Sequence, residues 1–166
     1  MIITEYEDKY LEDIRDLLVE LEEYILTIDK EELNQLHPEY REKMALVDLE
    51  DVKNYNRKCY IAVENDKAIG FIMGTVPPYD EYDYLDYKYP KRGKITELIV
   101  TSKIRSKGVG QQLINKMEEY FRSVGSEYVL VDVFACNENA INFYNKKGYH
   151  SRMITDIKKI INYNLE

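Results

Sequence analysis

The feature that most constrains the fold is a strand, a glycine-containing turn, a helix and a second strand that follow one another between residues 95 and 134. Apolar residues predict the first strand over 95–100. The helix predicted from Gly108 to Val124 places apolar side chains at 109, 113, 117, 121 and 124 on one face. A second strand is predicted over 128–134. Two strands joined by a helix pair in parallel through a right-handed crossover, so the sequence predicts a βαβ unit.

Before this unit the chain predicts two helices. Apolar residues at helical spacing indicate a helix from residue 8 to about residue 28, with acidic residues on its other face. A proline at position 38 is typical of a first helical turn, and the pattern predicts that this second helix continues to residue 52. The apolar pair at residues 2 and 3 is typical of a short opening strand.

The remaining elements are a hairpin in the middle of the chain and a helix with two strands at its end. Two strand-like runs, 58–64 and 68–76, are separated by an Asn-Asp-Lys turn that is typical of a β-hairpin. A helix is predicted over 138–147, and closing strands are predicted over 149–154 and 157–163. The pattern therefore predicts an α/β (α+β) fold, with a mixed sheet and helices on both of its faces.

Length and charge limit the class of protein. A chain of 166 residues fits one domain, predicted to span residues 1–166. Its net charge of −8 is opposite to that of most nucleic-acid-binding proteins. Apolar runs stay well below the roughly 18 residues that a membrane span needs, and the first residues lack the features of a signal peptide. We therefore expect a soluble cytoplasmic protein with neither a nucleic-acid nor a membrane partner.

The cysteines and histidines do not form a metal-binding pattern. Cys59 and Cys136 lie far apart in the sequence, and neither stands beside a histidine. His37 and His150 are the two histidines of the chain, and we expect both at the surface. Zinc sites need closely spaced Cys or His ligands. No metal site is therefore expected, and both cysteines are expected to be reduced thiols.

The turn between the first strand and the helix of the βαβ unit is typical of an anion site. Lys103, Arg105 and Lys107 add three positive charges, with no acidic residue between positions 100 and 110. Gly108 and Gly110 let a ligand approach backbone N–H groups that the start of a helix leaves unpaired. The pattern favours a pyrophosphate as the ligand. The alternative is that the glycines only allow a tight turn.

Three ordered elements carry a resemblance to a known family. They are the strand 95–100, the turn Arg105-x-x-Gly108-x-Gly110, and the segment 137–149, which reads N-x-x-A-x-x-F-Y-x-x-x-G-Y. Together they resemble the GNAT superfamily of acetyl-CoA-dependent N-acetyltransferases over residues 94–150. Ser102 stands where a proline is common and Lys107 where an arginine is common. Lysine keeps the charge of arginine, so phosphate binding is still expected.

The resemblance implies a GNAT-type fold, in which a mostly antiparallel sheet contains a parallel βαβ unit that binds acetyl-CoA. It also implies a set of cofactor-binding groups. The backbone of Leu98, Ile99 and Val100 would bind the pantetheine arm, and the Asn137 side chain would also contact the cofactor. Backbone N–H groups of the turn would bind the pyrophosphate: Arg105, Ser106, Lys107, Gly108, Val109 and Gly110.

The resemblance further implies direct transfer of the acetyl group, with Tyr144 as the general acid that protonates the leaving thiolate. The alternative for Tyr144 is a core or interface tyrosine. An acceptor ammonium must lose a proton before it attacks, and Glu97 and Asp132 are the acids within otherwise apolar strands. Glu97 is preferred as the base because its side chain is longer. The alternative is that one or both acids are paired with a lysine or face water.

The acceptor is expected to be a primary amine, either a small molecule or a peptide. A tyrosine-rich acidic stretch, 79–90, is predicted to be a loop that lines the acceptor entrance; the alternative is a solvated loop or a dimer contact. A small cationic amine, such as a polyamine or an aminoglycoside, is preferred. Acetylation of a protein N-terminus or lysine, or a non-catalytic acyl-CoA-binding sensor, are the alternatives. Since dimers are common in the family, a homodimer is one expected assembly.

Overall fold

The computed structural model describes residues 1–54, 57–85, 88, 91–104 and 107–160. By its internal contacts the chain divides into two compact units, Met1–Asp132 and Val133–Glu166. In the described residues, the first unit contains a five-stranded sheet and three α-helices, and the second contains one α-helix. None of the helices in this described part is long and apolar enough to cross a bilayer.

The first unit is built on a single sheet whose strands lie side by side in chain order. The strands are β1 (Ile2–Glu5), β2 (Arg57–Glu64), β3 (Lys67–Thr75), β4 (Arg92–Val100) and β5 (Tyr128–Val131). Neighbours from β1 to β4 pair antiparallel, whereas β4 and β5 pair in parallel. The predicted mixed, mostly antiparallel sheet is therefore confirmed.

Four helices complete the described secondary structure, apart from short 3-10 turns. They are α1 (Leu11–Ile28), α2 (Tyr40–Asn54) and α3 (Val109–Ser123) in the first unit, and α4 (Glu138–Asn145) in the second. Because α3 connects the parallel strands β4 and β5, the predicted βαβ unit is confirmed. Its helix begins where the glycine turn predicted it.

Helices cover both faces of the sheet, as predicted. On one face, α1 and α2 pack against the strands in one apolar core; its members include Ile14, Leu18, Leu49, Phe71, Met73 and Ile99. On the other face, α3 lies so close that a Cβ at Gly93 would be 2.5 Å from ring atoms of Phe121. This position therefore requires glycine because of close approach and not because of its backbone angles.

The predicted hairpin forms from β2 and β3 through a two-residue turn. Asn65 and Asp66 both have positive φ angles, of 52° and 60°. A two-residue turn with both central residues in the left-handed region matches the twist of the strands that it joins. Asn and Asp tolerate this region better than other non-glycine residues, which is why their presence in the sequence predicted the turn.

The predictions for three strands near the end of the chain are wrong in part or in full. β5 ends at Val131 instead of continuing to residue 134, and no strand forms over 149–154 or 157–160. The rest of the second closing strand, 161–163, lies outside the described residues. Met153 and Ile154 are 80% and 82% exposed. An apolar run predicts a strand only where a neighbouring strand pairs with it and its side chains are buried.

Gly93→Ala tests the packing of α3 against β4. We expect the free energy of unfolding to fall by about 1–3 kcal/mol, because the new methyl group overlaps the Phe121 ring. Urea denaturation measures this loss. In a Phe121→Leu background, the same change should cost less because the smaller side chain leaves room. An equal cost in both backgrounds would contradict the close approach.

Candidate active site

The start of α3 presents backbone N–H groups that no side chain caps in the described residues. Gly108 is the N-cap residue, with a φ of 77°, and its carbonyl accepts the N–H of Gln112 at 3.1 Å. The N–H groups of Val109, Gly110 and Gln111 precede this first helical hydrogen bond, so the helix offers them no acceptor. Since no atom of the described residues, apart from its two chain neighbours, lies within 4 Å of a Cβ built at Gly108, a glycine is required there by the left-handed backbone and not by crowding.

Charged side chains near this helix start were predicted to bind an anion. Lys103 and Lys107 are both exposed and lie before α3, in the order that the sequence predicted. Arg105 and Ser106 lie outside the described residues. A helix N-terminus carries a partial positive charge, and the two lysines add to it. The described part of the turn can therefore hold an anionic group.

The connection from β4 to α3 is fixed to α1 by Glu20. Its carboxylate accepts the hydroxyl of Thr101 at 2.9 Å and the backbone N–H of Ser102 at 2.5 Å. Glu20 is one of the acidic residues predicted on the face of α1 opposite its apolar stripe, and its role here depends on tertiary packing. This contact sets the path of the chain as it leaves the sheet towards the glycine turn.

β4 separates from β5 halfway along its length. β5 pairs with β4 from Arg92 to Ile95, whereas β3 pairs with it as far as Val100. In the described residues, no strand lies on the β5 side of Leu98 and Ile99. The predicted cofactor-binding backbone therefore lies along an opened edge of the sheet, where an extended ligand could form hydrogen bonds like those of a strand.

A β-bulge in β4 directs Glu97 towards the helices α1 and α2. The pairing with β3 shifts between Met73, which is opposite Glu97, and Gly74, which is opposite Ile95. Residues directly opposite each other share a face of the sheet, and Met73 belongs to the core beneath α1 and α2. Bulges re-aim side chains and are common beside active sites.

The pKa of the Glu97 carboxyl is raised to about 7. Burial is the largest cause, because removal from water disfavours the charged form. The negative charges of Asp48 and Glu22 raise it further, and the positive charge of Arg57 acts in the opposite direction. A base with a pKa near neutrality is well matched to proton transfer at pH 7.

We refer to Glu22, Asp48 and Glu97 as the carboxylate cluster. Glu22 lies on α1 and is only 7% exposed, and Asp48 lies on α2. The Glu22 carboxylate accepts hydrogen bonds from Asn34 Nδ2 at 3.4 Å and from the Tyr40 hydroxyl at 3.5 Å. The pKa of Tyr40 is raised by burial first and then by the three carboxylates of the cluster. The hydroxyl of Tyr40 is therefore held in its neutral form.

Glu22 and Asp48 are not predicted as functional residues from the sequence. Glu22 carried a usable signal, since it falls four residues after Leu18 and eight after Ile14 on the buried stripe of α1. A carboxylate on such a stripe is costly to bury, which makes it a candidate functional residue. Asp48 carried no comparable signal, because α2 mixes buried and exposed apolar residues along its length.

Asp132, the second predicted base, has a different environment. It directly follows β5, its side chain is 84% exposed, and its carboxylate lies 2.6 Å from Lys94 Nζ. Lys94 extends from β4, so this ion pair joins the two parallel strands. The negative charges of Asp48 and Glu22 thus act on Glu97, whereas Asp132 pairs with a lysine.

In the second unit, Asn137 and Tyr144 mark the two ends of α4. The side-chain oxygen of Asn137 accepts the N–H of Ala140 at 3.1 Å, so this residue caps the helix. Tyr144 is 8% exposed, and its ring packs edge-on against Phe143 and Tyr149, with centroids 5.4 and 5.3 Å away. The family-like segment therefore forms a capped helix with an aromatic cluster at its end.

The acidic loop predicted over 79–90 is partly described. A 3-10 turn spans Asp83–Leu85, and the guanidinium of Arg92 lies 5.0 Å from the centre of the Tyr79 ring. Residues 86, 87, 89 and 90 lie outside the described residues. Within the described part of the chain, no group of three or more His, Cys, Asp or Glu side chains is placed to hold a metal ion.

Comparison with known proteins identifies the family to which this fold and site belong. The fold is that of an acetyltransferase, and the model of the acetyltransferase (GNAT) family matches residues 12–149. The chain therefore belongs to the GNAT acetyltransferase family, which confirms the predicted resemblance. An uncharacterised N-acetyltransferase of Methanocaldococcus jannaschii is 26% identical over 96 residues, or 57% of this chain. The chain matches about half (54%) of that relative's length.

Solved structures show the same fold at low sequence identity. A mutant of a Bacillus halodurans protein superposes with a TM-score of 0.82 at 16% identity, covering 97% of this chain and 100% of that chain. An aminoglycoside N-acetyltransferase in complex with CoA superposes with a TM-score of 0.63 at 18% identity, covering 96% and 100%. The superpositions show that almost the whole chain shares this fold.

Glu97→Gln tests the burial of this carboxyl without any assay of activity. A folded-state pKa of about 7, against an ordinary value of 4.5, means that the folded protein binds the proton more tightly than the unfolded chain. Wild-type stability should therefore fall as pH rises from about 4.5 to 7, by about 3 kcal/mol or less. Urea unfolding at pH 5 and pH 8 measures the change.

Glu97→Gln should lack this loss of stability with rising pH, whereas the exposed change Glu23→Gln should keep it. Unfolding curves for wild type and Glu97→Gln that shift in parallel between the two pH values would contradict a buried, proton-binding Glu97.

Proposed function

We propose that this protein transfers the acetyl group of acetyl-CoA directly to a primary amine of a small cationic molecule. The observation that carries the proposal is Glu97, a carboxyl with a pKa of about 7 in β4, next to the opened edge of that strand. An alkylammonium must lose its proton before its nitrogen can attack a thioester, and a carboxylate of this strength is suited to accept it.

Two features of the first unit support acetyl-CoA as the co-substrate. The N–H groups at the start of α3 and the charges of Lys103 and Lys107 suit a diphosphate. The opened edge at Leu98, Ile99 and Val100 suits a pantetheine arm, whose amides can hydrogen-bond an extended backbone. We assign Arg105 and Ser106 to the same diphosphate site by their position in the turn. A structural neighbour with this fold was solved with CoA.

In the proposed reaction, Glu97 removes a proton from the acceptor ammonium. The amine nitrogen then bonds to the acetyl carbonyl carbon, and the bond from that carbon to the CoA sulfur breaks. Tyr144 donates its hydroxyl proton to the departing sulfur and is reprotonated by the second proton that the nitrogen releases as the amide forms, and the side chain of Asn137 contacts the cofactor. The roles of Tyr144 and Asn137 are proposed from the family-like segment that contains them. Asp132 is the alternative base, although its pairing with Lys94 supports Glu97 in this role.

A cationic acceptor is supported by the negative charge around Glu97. The carboxylates of Glu22, Asp48 and Glu97 supply up to three negative charges, and the acidic loop, which we propose to line the acceptor entrance, carries Asp80, Glu81 and Asp83. Polyamines and aminoglycosides carry several ammonium groups, which such a field attracts. A neighbouring structure is that of an aminoglycoside N-acetyltransferase. We therefore propose an acceptor of this charge class.

A panel of amines tests the proposed function. Polyamines, aminoglycosides and peptides with free N-termini or lysines are each incubated with acetyl-CoA, and CoA release and acetylated products are measured. We expect release with polyamines or aminoglycosides and an acetyl amide by mass spectrometry. Acetylation of peptides alone would instead identify a protein acetyltransferase. Acetyl-CoA binding without CoA release on any amine would identify a sensor and contradict the proposal.

Glu97→Gln should lower kcat/KM for the best acceptor by about 10²–10⁴-fold, because the amide cannot accept a proton. Steady-state kinetics at pH 7.5 measure this loss. The matched control is Glu23→Gln, the same chemical change at an exposed position of α1, which should leave kcat/KM unchanged. Full activity in Glu97→Gln would remove this residue from the mechanism.

Tyr144→Phe should lower turnover strongly while it leaves the affinity for acetyl-CoA nearly unchanged, since only the proton-donating hydroxyl is lost. Calorimetry and CoA-release assays separate the two quantities. Tyr128→Phe, at a 61% exposed position of β5, is the matched control and should behave like wild type. Unchanged turnover in Tyr144→Phe would contradict its role as the general acid.

A further inference from the structure

Two acids of α1 accept backbone N–H groups of the sheet and its connections. Asp13 Oδ2 accepts the N–H of Ala68, near the start of β3, at 2.9 Å. Glu20 Oε1 accepts the N–H of Ser102, just after β4, at 2.5 Å, and its Oε2 accepts the hydroxyl of Thr101 at 2.9 Å. Positions 13 and 20 are about two helical turns apart, so both acids lie on one face of α1. This face is therefore fixed to the neighbouring backbone at two separate points.

The contact with Glu20 lies at the start of the connection that leads to the glycine turn. The N–H of Thr101 donates to the carbonyl of Ile69 on β3 at 3.0 Å, which extends the pairing of β3 with β4 by one further bond. The chain then enters a 3-10 turn, Ser102–Ile104, in which the N–H of Ile104 donates to the carbonyl of Thr101 at 3.2 Å. The Glu20 carboxylate therefore holds the chain where it leaves the sheet.

Glu20 supplies to this turn what a local cap supplies to an ordinary helix. The first N–H groups of a helix have no acceptor within it, and the side chain of the preceding residue commonly accepts one of them. Here the acceptor comes from a residue 82 positions away in the sequence. Hydrogen bonds to a carboxylate are stronger than those to a neutral oxygen. The packing of α1 therefore fixes the direction in which the chain leaves β4.

The turn that Glu20 holds carries part of the proposed anion site. Lys103 is the exposed middle residue of this 3-10 turn, and Gly108, the left-handed N-cap of α3, follows it in the chain. A charge and a set of N–H groups bind a diphosphate best when their positions are fixed beforehand, because ordering them during binding costs free energy. A connection that is held before the ligand arrives avoids part of this cost.

We infer that Glu20 is a positioning residue for the diphosphate of the cofactor, because its bonds to Thr101 and Ser102 hold the connection between β4 and α3 in the conformation that binds the ligand. This inference rests on the proposed function, since it requires the turn to bind the diphosphate of acetyl-CoA. Glu20 does not touch the cofactor in this account. It acts through the backbone that leads to Lys103 and the glycine turn.

The negative charge of Glu20 separates a positioning role from a purely electrostatic one. A carboxylate near an anion site repels the ligand, so electrostatics alone predicts tighter binding of CoA when the charge is removed. Positioning predicts weaker binding in Glu20→Gln, because the amide keeps the size of the side chain but offers one acceptor oxygen in place of two. Thr101→Val removes one of the bonds and leaves the charge in place. Positioning predicts weaker binding here as well, whereas electrostatics alone predicts no change.

Calorimetry with CoA, and kinetics with acetyl-CoA and with acetyl-pantetheine, which lacks the diphosphate, test this role. In Glu20→Gln and Thr101→Val we expect the dissociation constant of CoA to rise by roughly 3–10-fold, because the connection must now be ordered during binding. The KM for acetyl-CoA should rise by a similar factor with little change in kcat. The kcat/KM for acetyl-pantetheine should stay within about twofold of wild type, since no diphosphate contact is involved.

Asp13→Asn is the matched control, because it weakens the same kind of bond from the same helix, but at the start of β3. It should lower the free energy of unfolding in urea and leave the affinity for CoA unchanged. An equal loss of CoA affinity in this control would overturn the inference, as would an equal loss of kcat/KM with acetyl-pantetheine.

Weaker binding of CoA in either Glu20→Gln or Thr101→Val, with acetyl-pantetheine unaffected, supports the inference, so one folded variant is enough. Unchanged or tighter binding of CoA in both variants would overturn it. Failure of the wild type to bind CoA would contradict the proposed function and the inference together. Binding of CoA by the wild type without release of CoA on any amine would contradict only the proposed transfer reaction, because the calorimetry needs no turnover.

Discussion

The burial of negative charge between α1, α2 and β4 is the constraint on which the proposed chemistry depends. Glu97 can accept a proton near neutral pH because its carboxyl is removed from water and lies near Asp48 and Glu22. The surrounding core offsets the cost of this arrangement. Fully buried side chains such as Ile14, Leu18 and Phe71 each contribute roughly 1.5–3 kcal/mol to stability. The first unit can therefore retain an unfavourable group at its centre.

Strand β4 also carries the opened edge that is proposed to bind the cofactor. β4 has a bulge at residue 96 that turns Glu97 towards the helices, and it separates from β5 after Ile95. Both departures from a regular ladder occur within a few residues of each other. The strand then continues through the loop held by Glu20 into the uncapped start of α3. A proton acceptor, an opened strand edge and an anion site are thus ordered along one stretch of chain.

The sequence predicted the features that local chemistry determines. The hairpin turn follows from Asn65 and Asp66, which tolerate positive φ, and the start of α3 follows from Gly108, which adopts a φ of 77°. The helical and strand periods of the βαβ unit are likewise local. These signals need no knowledge of distant contacts, and the structure confirms the elements that they predicted.

The features that the sequence analysis missed depend on tertiary packing. Glu22 and Asp48 are 26 residues apart in the sequence and meet Glu97 only after α1 and α2 pack on the sheet. At Met153 and Ile154 the apolar pattern predicted a buried closing strand, but these side chains are exposed. Apolar composition does not determine whether a partner strand is adjacent. The role of Asn137 as the N-terminal cap of α4 likewise follows only from the geometry of that helix.

A crystal structure of the protein with bound CoA tests the central claim most directly. We predict that the diphosphate oxygens lie within hydrogen-bond distance of the N–H groups of Val109 and Gly110, with the pantetheine arm beside Leu98 and Ile99. The sulfur end of the cofactor should then point to the side of β4 that carries Glu97. A diphosphate bound elsewhere, with these N–H groups contacting only water, would contradict the account.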